Sequence, residues 1–186
     1  MKITSGIYKC RKIDIPKDIR PTSEKVREAV VSMSLDRIIG GRILDLFAGS
    51  GALGLEALSR GAEVCYFNEI NRKNFSILKA NIANCKAEDK SIMTNSDFRL
   101  CIERNDFIGG LDVVFLDPPY AEIEYYDEVF DLIEKKKCMN LGGYVIAEHD
   151  KRNVLNESYG SFTKIKEKKY GTIGVDVFEF NNLDNK

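Results

Sequence analysis

The sequence predicts an α/β fold: a mostly parallel sheet of seven strands, covered by helices on both faces and closed by an antiparallel C-terminal hairpin. Three observations point to it. Short apolar runs alternate with stretches of about ten to fifteen residues at helical spacing, which implies right-handed crossovers and a parallel sheet. The run starting at Ile43 breaks into a glycine turn and then switches to helical spacing, so residues 43–56 read as strand, tight loop, helix. From residue 161 onward the pattern becomes two alternating runs on either side of Gly171, as expected of a hairpin.

In chain order, residues 2–15 alternate partly, with Ile3, Ile7, Ile13 and Ile15 separated by polar residues, and predict a small β-hairpin or two short strands. Pro21 holds Arg20 extended, Thr22 or Ser23 can cap, and 24–35 reads as a helix with Val26, Val30 and Met33 inward, ended by Gly40-Gly41. A helix runs from Ala52 to a stop at Gly61, followed by a second strand over 63–69. Residues 71–84 carry Phe75, Leu78 and Ile82 at helical spacing, 91–95 forms a third strand and 98–103 a short helix. The fourth strand, 111–116, is uninterruptedly apolar; a helix over 126–137 is followed by Gly142-Gly143 and the strand 144–148. Strands at 161–170 and 173–180 complete the set, and 181–186 is a frayed tail. One domain over 1–186 is expected, with a core at 41–181 and an N-terminal extension at 1–40.

Hydrophobic residues make up 44% of the chain, enough for one substantial core. The five cysteines, at 10, 65, 85, 101 and 138, form no C-x-x-C pair, and a single histidine leaves no zinc set. They read as reduced thiols of a cytoplasmic protein without a metal. No signal peptide is evident, and no apolar run approaches the roughly 18 to 20 residues that span a bilayer. The formal charge of −1 hides an asymmetry: residues 1–27 carry eight Lys or Arg against three Asp or Glu, +5, leaving −6 for the rest. A basic segment on an acidic body suits contact with a polyanion, with an ordinary solvated surface as the plainer reading.

Gly49, Gly51 and Gly54 fit G-x-G-x-x-G, in which the turn brings backbone N–H groups close to a ligand and the following helix aims its positive end at the same place. Glu69, twenty positions after Gly49, stands at the end of the second strand, where a ribose diol can be accepted. Both features suit S-adenosylmethionine and a nicotinamide dinucleotide alike. Asp45 favours the former, because its carboxylate can hold the ammonium of a methionine moiety and a dinucleotide offers no such cation.

The most specific signal is Asp117-Pro118-Pro119-Tyr120 at the carboxyl end of the fourth strand. An exocyclic base amine is a poor nucleophile because its lone pair is delocalised into the ring. Asp117 and the Pro118 carbonyl can accept both of its N–H bonds and localise that pair, the prolines remove backbone donors, and Tyr120 offers a stacking face. With the glycine loop, Glu69 and Asp97, the tetrad resembles the class I S-adenosylmethionine-dependent methyltransferases that modify amino groups of nucleic-acid bases. The blocks Arg20-Pro21-Thr22 with Lys25-Val26-Arg27-Glu28, residues 46–57 (LFAGSGALGLEA) and Arg60-Gly61-Ala62 are similar to the RsmD family of bacterial 16S ribosomal RNA guanine-N2 methyltransferases, over about residues 3–180.

That resemblance implies a Rossmann-like methyltransferase fold and a role for each matching position. The backbone of Phe47, Ala48, Gly49, Ser50 and Gly51 would contact the methionine part of the cofactor, and Asp45 would hold its ammonium, directly or through water. Glu69 would meet the ribose, Asp97 and Phe98 the adenine, Ile70 would be a further cofactor contact, and Asp117, Pro118, Pro119 and Tyr120 would hold the target guanine. The segment before the first strand would lie over the cofactor and help bind RNA, through Lys9, Arg11, Lys12, Arg20, Thr22 and Arg27. Cys10 departs from the glycine expected there. The implied partner is 16S ribosomal RNA within small-subunit assembly particles, and the implied state a monomer.

Three rivals stand beside this reading: methylation of adenine N6 or cytosine N4 in DNA, since the tetrad suits any of these amines; an RNA-binding assembly factor without turnover; and a nicotinamide oxidoreductase, which leaves the tetrad unexplained. Glu148-His149 at the end of the fifth strand could border the base pocket, although a lone histidine is more often structural. Tyr125 and Tyr126 suit RNA stacking or packing, and Lys135-Lys136-Lys137 a solvated helix end.

Overall fold

The computed structural model describes residues 1–17, 23–119 and 123–181. Ser23, in extended conformation, caps the helix α1 (Glu24–Met33) by accepting from the Val26 N–H. Ser34 ends it by bonding back to the Val30 and Val31 carbonyls, so the expected single helix becomes two, α1 and the short α2 (Leu35–Ile38). Then follow β1 (Arg42–Asp45), α3 (Ala52–Ser59), β2 (Val64–Asn68), α4 (Arg72–Cys85, capped by Asn71), β3 (Ser91–Thr94) and α5 (Phe98–Arg104, capped by Asp97). The chain continues through β4 (Leu111–Leu116), α6 (Glu124–Lys136), β5 (Met139–Asp150), β6 (Ser158–Tyr159), β7 (Phe162–Tyr170) and β8 (Ile173–Phe180).

Among the described residues one sheet holds eight strands in the order β3-β2-β1-β4-β5-β8-β7-β6: the seven expected and a two-residue edge strand, β6. The strands β1 to β5 are mutually parallel, and β8, β7 and β6 join antiparallel. Because β1 pairs with β2 on one side and β4 on the other, the chain reverses its direction of travel between β1 and β4. Ligands of open parallel sheets bind at the carboxyl ends of strands flanking such a switch.

The sheet separates two cores. Ile43, Phe67, Phe115 and Ile146 pack against α1, α3 and α4, whereas their neighbours Leu44, Tyr66, Leu116 and Ala147 pack against α5 and α6. Gly142-Gly143 does not precede β5 as expected but lies within it. The pairing of β4 with β5 jumps from Leu111↔Met139 to Val113↔Tyr144, and the extra residues, with Gly142 at φ 74°, form an irregularity there.

The expected N-terminal hairpin is reduced to a single antiparallel bridge between Lys2 and Lys12, closed by Cys10 N–H donating to the Ile3 carbonyl at 2.9 Å. Ile3, Tyr8 and Ile13 are buried in the α1/α3/α4 core, so the segment is held by its side chains more than by a ladder. It is stitched to α3 and α4: Ile7 N–H donates to the Ser59 carbonyl (2.8 Å), Thr4 N–H to Glu56 (2.9 Å) and Asp14 N–H to Asn81 (2.8 Å). Among the described residues no helix is long and apolar enough to cross a membrane.

Candidate active site

A cavity of about 510 Å³ opens at the carboxyl ends of the parallel strands. Its acidic lining follows the strand order. Asp97 lies beyond β3, Glu69 follows β2, Asp45 ends β1, Asp117 follows β4 and Glu148 is near the end of β5, and all five line the cavity. Strand alternation explains the row. Phe67, Ile43, Phe115 and Ile146 face α1, α3 and α4, so Glu69, Asp45, Asp117 and Glu148, each two residues further on, are in phase with that face.

The glycine loop forms one wall. Gly49 and Gly51 have φ of 55° and 79°, in the left-handed region that favours glycine. Gly54 fits for a different reason: a Cβ there would collide with the Phe67 ring and the Cys65 thiol. The loop is tied down at several points: Ala48 N–H donates to the Asn68 carbonyl (2.9 Å), and the Asn81 amide to the Ser50 carbonyl (2.8 Å). Glu69 bridges loop and α4, accepting from Gly49 N–H at 2.8 Å and Asn71 N–H at 2.7 Å. Its carboxylate is thus held by backbone donors while still bordering the cavity.

Asp45 accepts from the Gly54 N–H at 3.0 Å. Burial pushes its carboxyl up to about 7, and the Glu69 charge adds to this against the Gly54 hydrogen bond. A neighbouring cation would relieve that penalty. Nearby, Asn74 Oδ1 is buried without a hydrogen-bond partner and its residue lines the cavity, so the wall presents an unused acceptor. Beyond β3, Asp97 accepts from Arg99 N–H (2.9 Å) and pairs with its guanidinium (3.1 Å). Phe98 forms an aromatic group with Phe47 and Tyr125, at centroid separations of 5.4 and 4.9 Å. The acidic row and this apolar face suit a donor-rich, cationic ligand with a flat ring.

On the other side of β1, Asp117, Pro118 and Pro119 line the same cavity as the glycine loop. Asp117 is half-buried, and Tyr126 Oη fixes the adjoining backbone by donating to the Glu148 carbonyl at 2.6 Å. Tyr120, Arg20 and Thr22 lie outside the described residues.

Several expected positions differ. Gly51 does not line the cavity; it caps α3 and packs against Leu78, so its role is to shape the loop. Arg27, expected to meet RNA, is fully buried: its guanidinium donates to the Lys2 carbonyl (2.7 Å) and the Met1 sulfur, and pairs with buried Glu56 at 3.9 Å. It is a strut beneath the N-terminal segment and is not offered to a phosphate. Arg11 is engaged with the Asn84 carbonyl (2.9 Å), whereas Lys9 and Lys12 are exposed. His149 does not line the cavity; it is buried, with Nδ1 against the Asp150 carbonyl (2.9 Å) and Nε2 at 3.5 Å from Asp176. Cavity residues absent from the motif reading include Met1, Ile15, Asn68 and Asn74. Asn74 left a signal, as a polar residue that shares the inward face of α4 with Leu78, Asn81 and Ile82.

This sheet order, with a glycine loop and an acidic strand end at the switch, defines a Rossmann-like fold of the class I methyltransferase type. The family profile described as "Conserved hypothetical protein 95" matches residues 1–179. The Bacillus subtilis protein YlbH is 34% identical over 182 residues, covering 96% of this chain and 98% of its own length. A Buchnera aphidicola protein named "Ribosomal RNA small subunit methyltransferase D" is 36% identical over 82% of this chain and 80% of its own. Among solved structures, Escherichia coli yhhF superposes with a TM-score of 0.85 at 29% identity, covering 97% of this chain and 98% of that one. The chain belongs to this family, the RsmD methyltransferases.

Proposed function

We propose that this protein is a cytoplasmic, S-adenosylmethionine-dependent methyltransferase that modifies the exocyclic N2 amine of a guanine in 16S ribosomal RNA. The observation that carries the reading is that the glycine loop and Asp117-Pro118-Pro119 line one cavity, on either side of the β1/β4 switch. The names of the relatives support the RNA substrate.

S-adenosylmethionine, when bound, supplies an electrophilic methyl group on a sulfonium. Asp45, raised to about 7 by burial, would regain its charge beside the methionine ammonium. Glu69, oriented by the Gly49 and Asn71 N–H groups, borders the cavity where the ribose hydroxyls would be accepted. Phe47, Phe98 and Tyr125 give the adenine an apolar face, with Asp97 at its edge. Asp117 and the Pro118 carbonyl would accept the two N2 hydrogens, drawing the nitrogen lone pair out of conjugation. The target base must leave its stack to reach them. Positioning of the two partners supplies the main acceleration, at most about 7–11 kcal/mol for well-held groups.

The exposed Lys9 and Lys12 of the N-terminal segment are proposed phosphate contacts, and the protein is proposed to act as a monomer and a single domain, 1–186, with its extension over 1–40. The test is methyl transfer from labelled S-adenosylmethionine to free 16S RNA and to small-subunit particles from a strain lacking the modification. The product is identified by mass spectrometry: N2-methylguanosine is expected, preferentially in particles. Methyl on adenine or cytosine, or in neither RNA, would contradict the reading.

A further inference from the structure

Resting on the guanine-N2 reading above, we propose that Glu148 recognises the target base by accepting the guanine N1–H, acting beside Asp117 as the second carboxylate of a two-acceptor reader. The β4–β5 register places the two side by side. Leu116 and Ala147 are partners in the parallel pairing, so Asp117 and Glu148 are the next residues on neighbouring strands and lie in phase on one face. Glu148 is buried at 3% exposure yet lines the cavity at the acceptor end. Its backbone is fixed three ways: by β4, by pairing with Val175 of β8, and by the Tyr126 hydroxyl on its carbonyl. A buried carboxylate carried at a cavity wall by so fixed a backbone suits recognition rather than general solvation.

The chemistry of the bases decides what such a pair can read. Guanine presents two adjacent donors on its Watson–Crick edge, N1–H and N2–H₂. Adenine and cytosine present an exocyclic amine next to a bare ring nitrogen, which is an acceptor. One acceptor pair on the amine suits all three bases, which is why Asp117-Pro118-Pro119 alone does not choose among them. A second carboxylate next to it satisfies guanine N1–H but faces the ring-nitrogen lone pair of the other two, leaving two acceptors opposed in a buried site. The prolines at 118 and 119 contribute no backbone N–H that could relieve that opposition. Glu148 therefore converts an amine site into a guanine site.

The test uses small-subunit particles reconstituted around 16S RNA that carries either guanine or 2-aminopurine at the methylated position. The analogue keeps the N2 amine and replaces N1–H by a bare acceptor nitrogen. The wild-type protein is expected to favour guanine by on the order of a hundredfold in kcat/KM. In Glu148→Gln the amide can turn its NH₂ toward the bare nitrogen, so the preference should shrink at least tenfold, with transfer to 2-aminopurine losing less than transfer to guanine. Affinity for S-adenosylmethionine, followed by calorimetry, should stay within about twofold, because Glu148 lies on the acceptor side of the row. An equal loss on both substrates would overturn the assignment of Glu148 while leaving the guanine reading in place. A wild-type protein that methylates neither particle would overturn both.

Discussion

At the scale of single residues, Asp45 shows how burial and function are coupled. The folded protein holds a proton on this carboxyl up to about pH 7, whereas the unfolded chain releases it near pH 4. Between those values the native state binds more protons than the unfolded one, so this residue's contribution to stability is present below pH 4 and lost as pH rises through 7. A cation held by Asp45 requires the charged form. Affinity for S-adenosylmethionine should therefore fall about tenfold per pH unit below 7 and level off above it. In Asp45→Asn the affinity should be weaker and this dependence absent; calorimetric titrations between pH 5.5 and 7.5 check both. Cys10 is a second case. It sits at φ 69°, exposed, in the left-handed region where a side chain costs about 1–2 kcal/mol. The glycine expected there from the family resemblance matches that backbone. Cys10→Gly should stabilise the protein by about 0.5–1 kcal/mol after the added flexibility of glycine in the unfolded chain is counted. Denaturant midpoints of the two proteins measure this.

At the scale of elements, the N-terminal segment is joined to α3 by one polar cluster. Glu56 accepts from the Thr4 N–H and faces Arg27 and Arg60, at 3.9 and 3.6 Å. Glu56→Ala would leave the buried Arg27 guanidinium without its buried counter-charge, with only the exposed Glu24 carboxylate at 4.0 Å, a loss of about 3 kcal/mol that thermal or chemical unfolding would register. Because Met1, Ile15 and Arg27 line the cavity, the same change should also weaken cofactor binding. This clamp was not legible in the sequence: Arg27, in the helix expected over 24–35, was expected to meet RNA, and only packing of the first fifteen residues over α1 and α3 buries it. The glycine loop and Asp117-Pro118-Pro119 were legible because their residue types are tied to backbone geometry, a left-handed turn and a strand end without donors. The edges of β5 were not, since a glycine pair looks alike whether it separates two elements or sits in a bulge. The pairing of Glu148 with Asp117 depends on register between distant strands, which single polar residues do not announce.

At the scale of the whole molecule, the strand order converts five separated sequence positions into one acidic row. Asp97, Glu69 and Asp45 lie on the side of the glycine loop, and Asp117 and Glu148 on the other, with the β1/β4 switch between them. The division lets donor and acceptor of a methyl group meet at a single boundary, and it requires that the two halves be separable by mutation. The most direct measurement is methyl transfer to small-subunit particles by Asp117→Ala, together with its calorimetric affinity for S-adenosylmethionine. Transfer should fall by at least a thousandfold, about 4 kcal/mol of lost transition-state stabilisation, while cofactor affinity stays within about twofold of wild type. Unchanged turnover in this variant would contradict the assignment of the acceptor site to the end of β4.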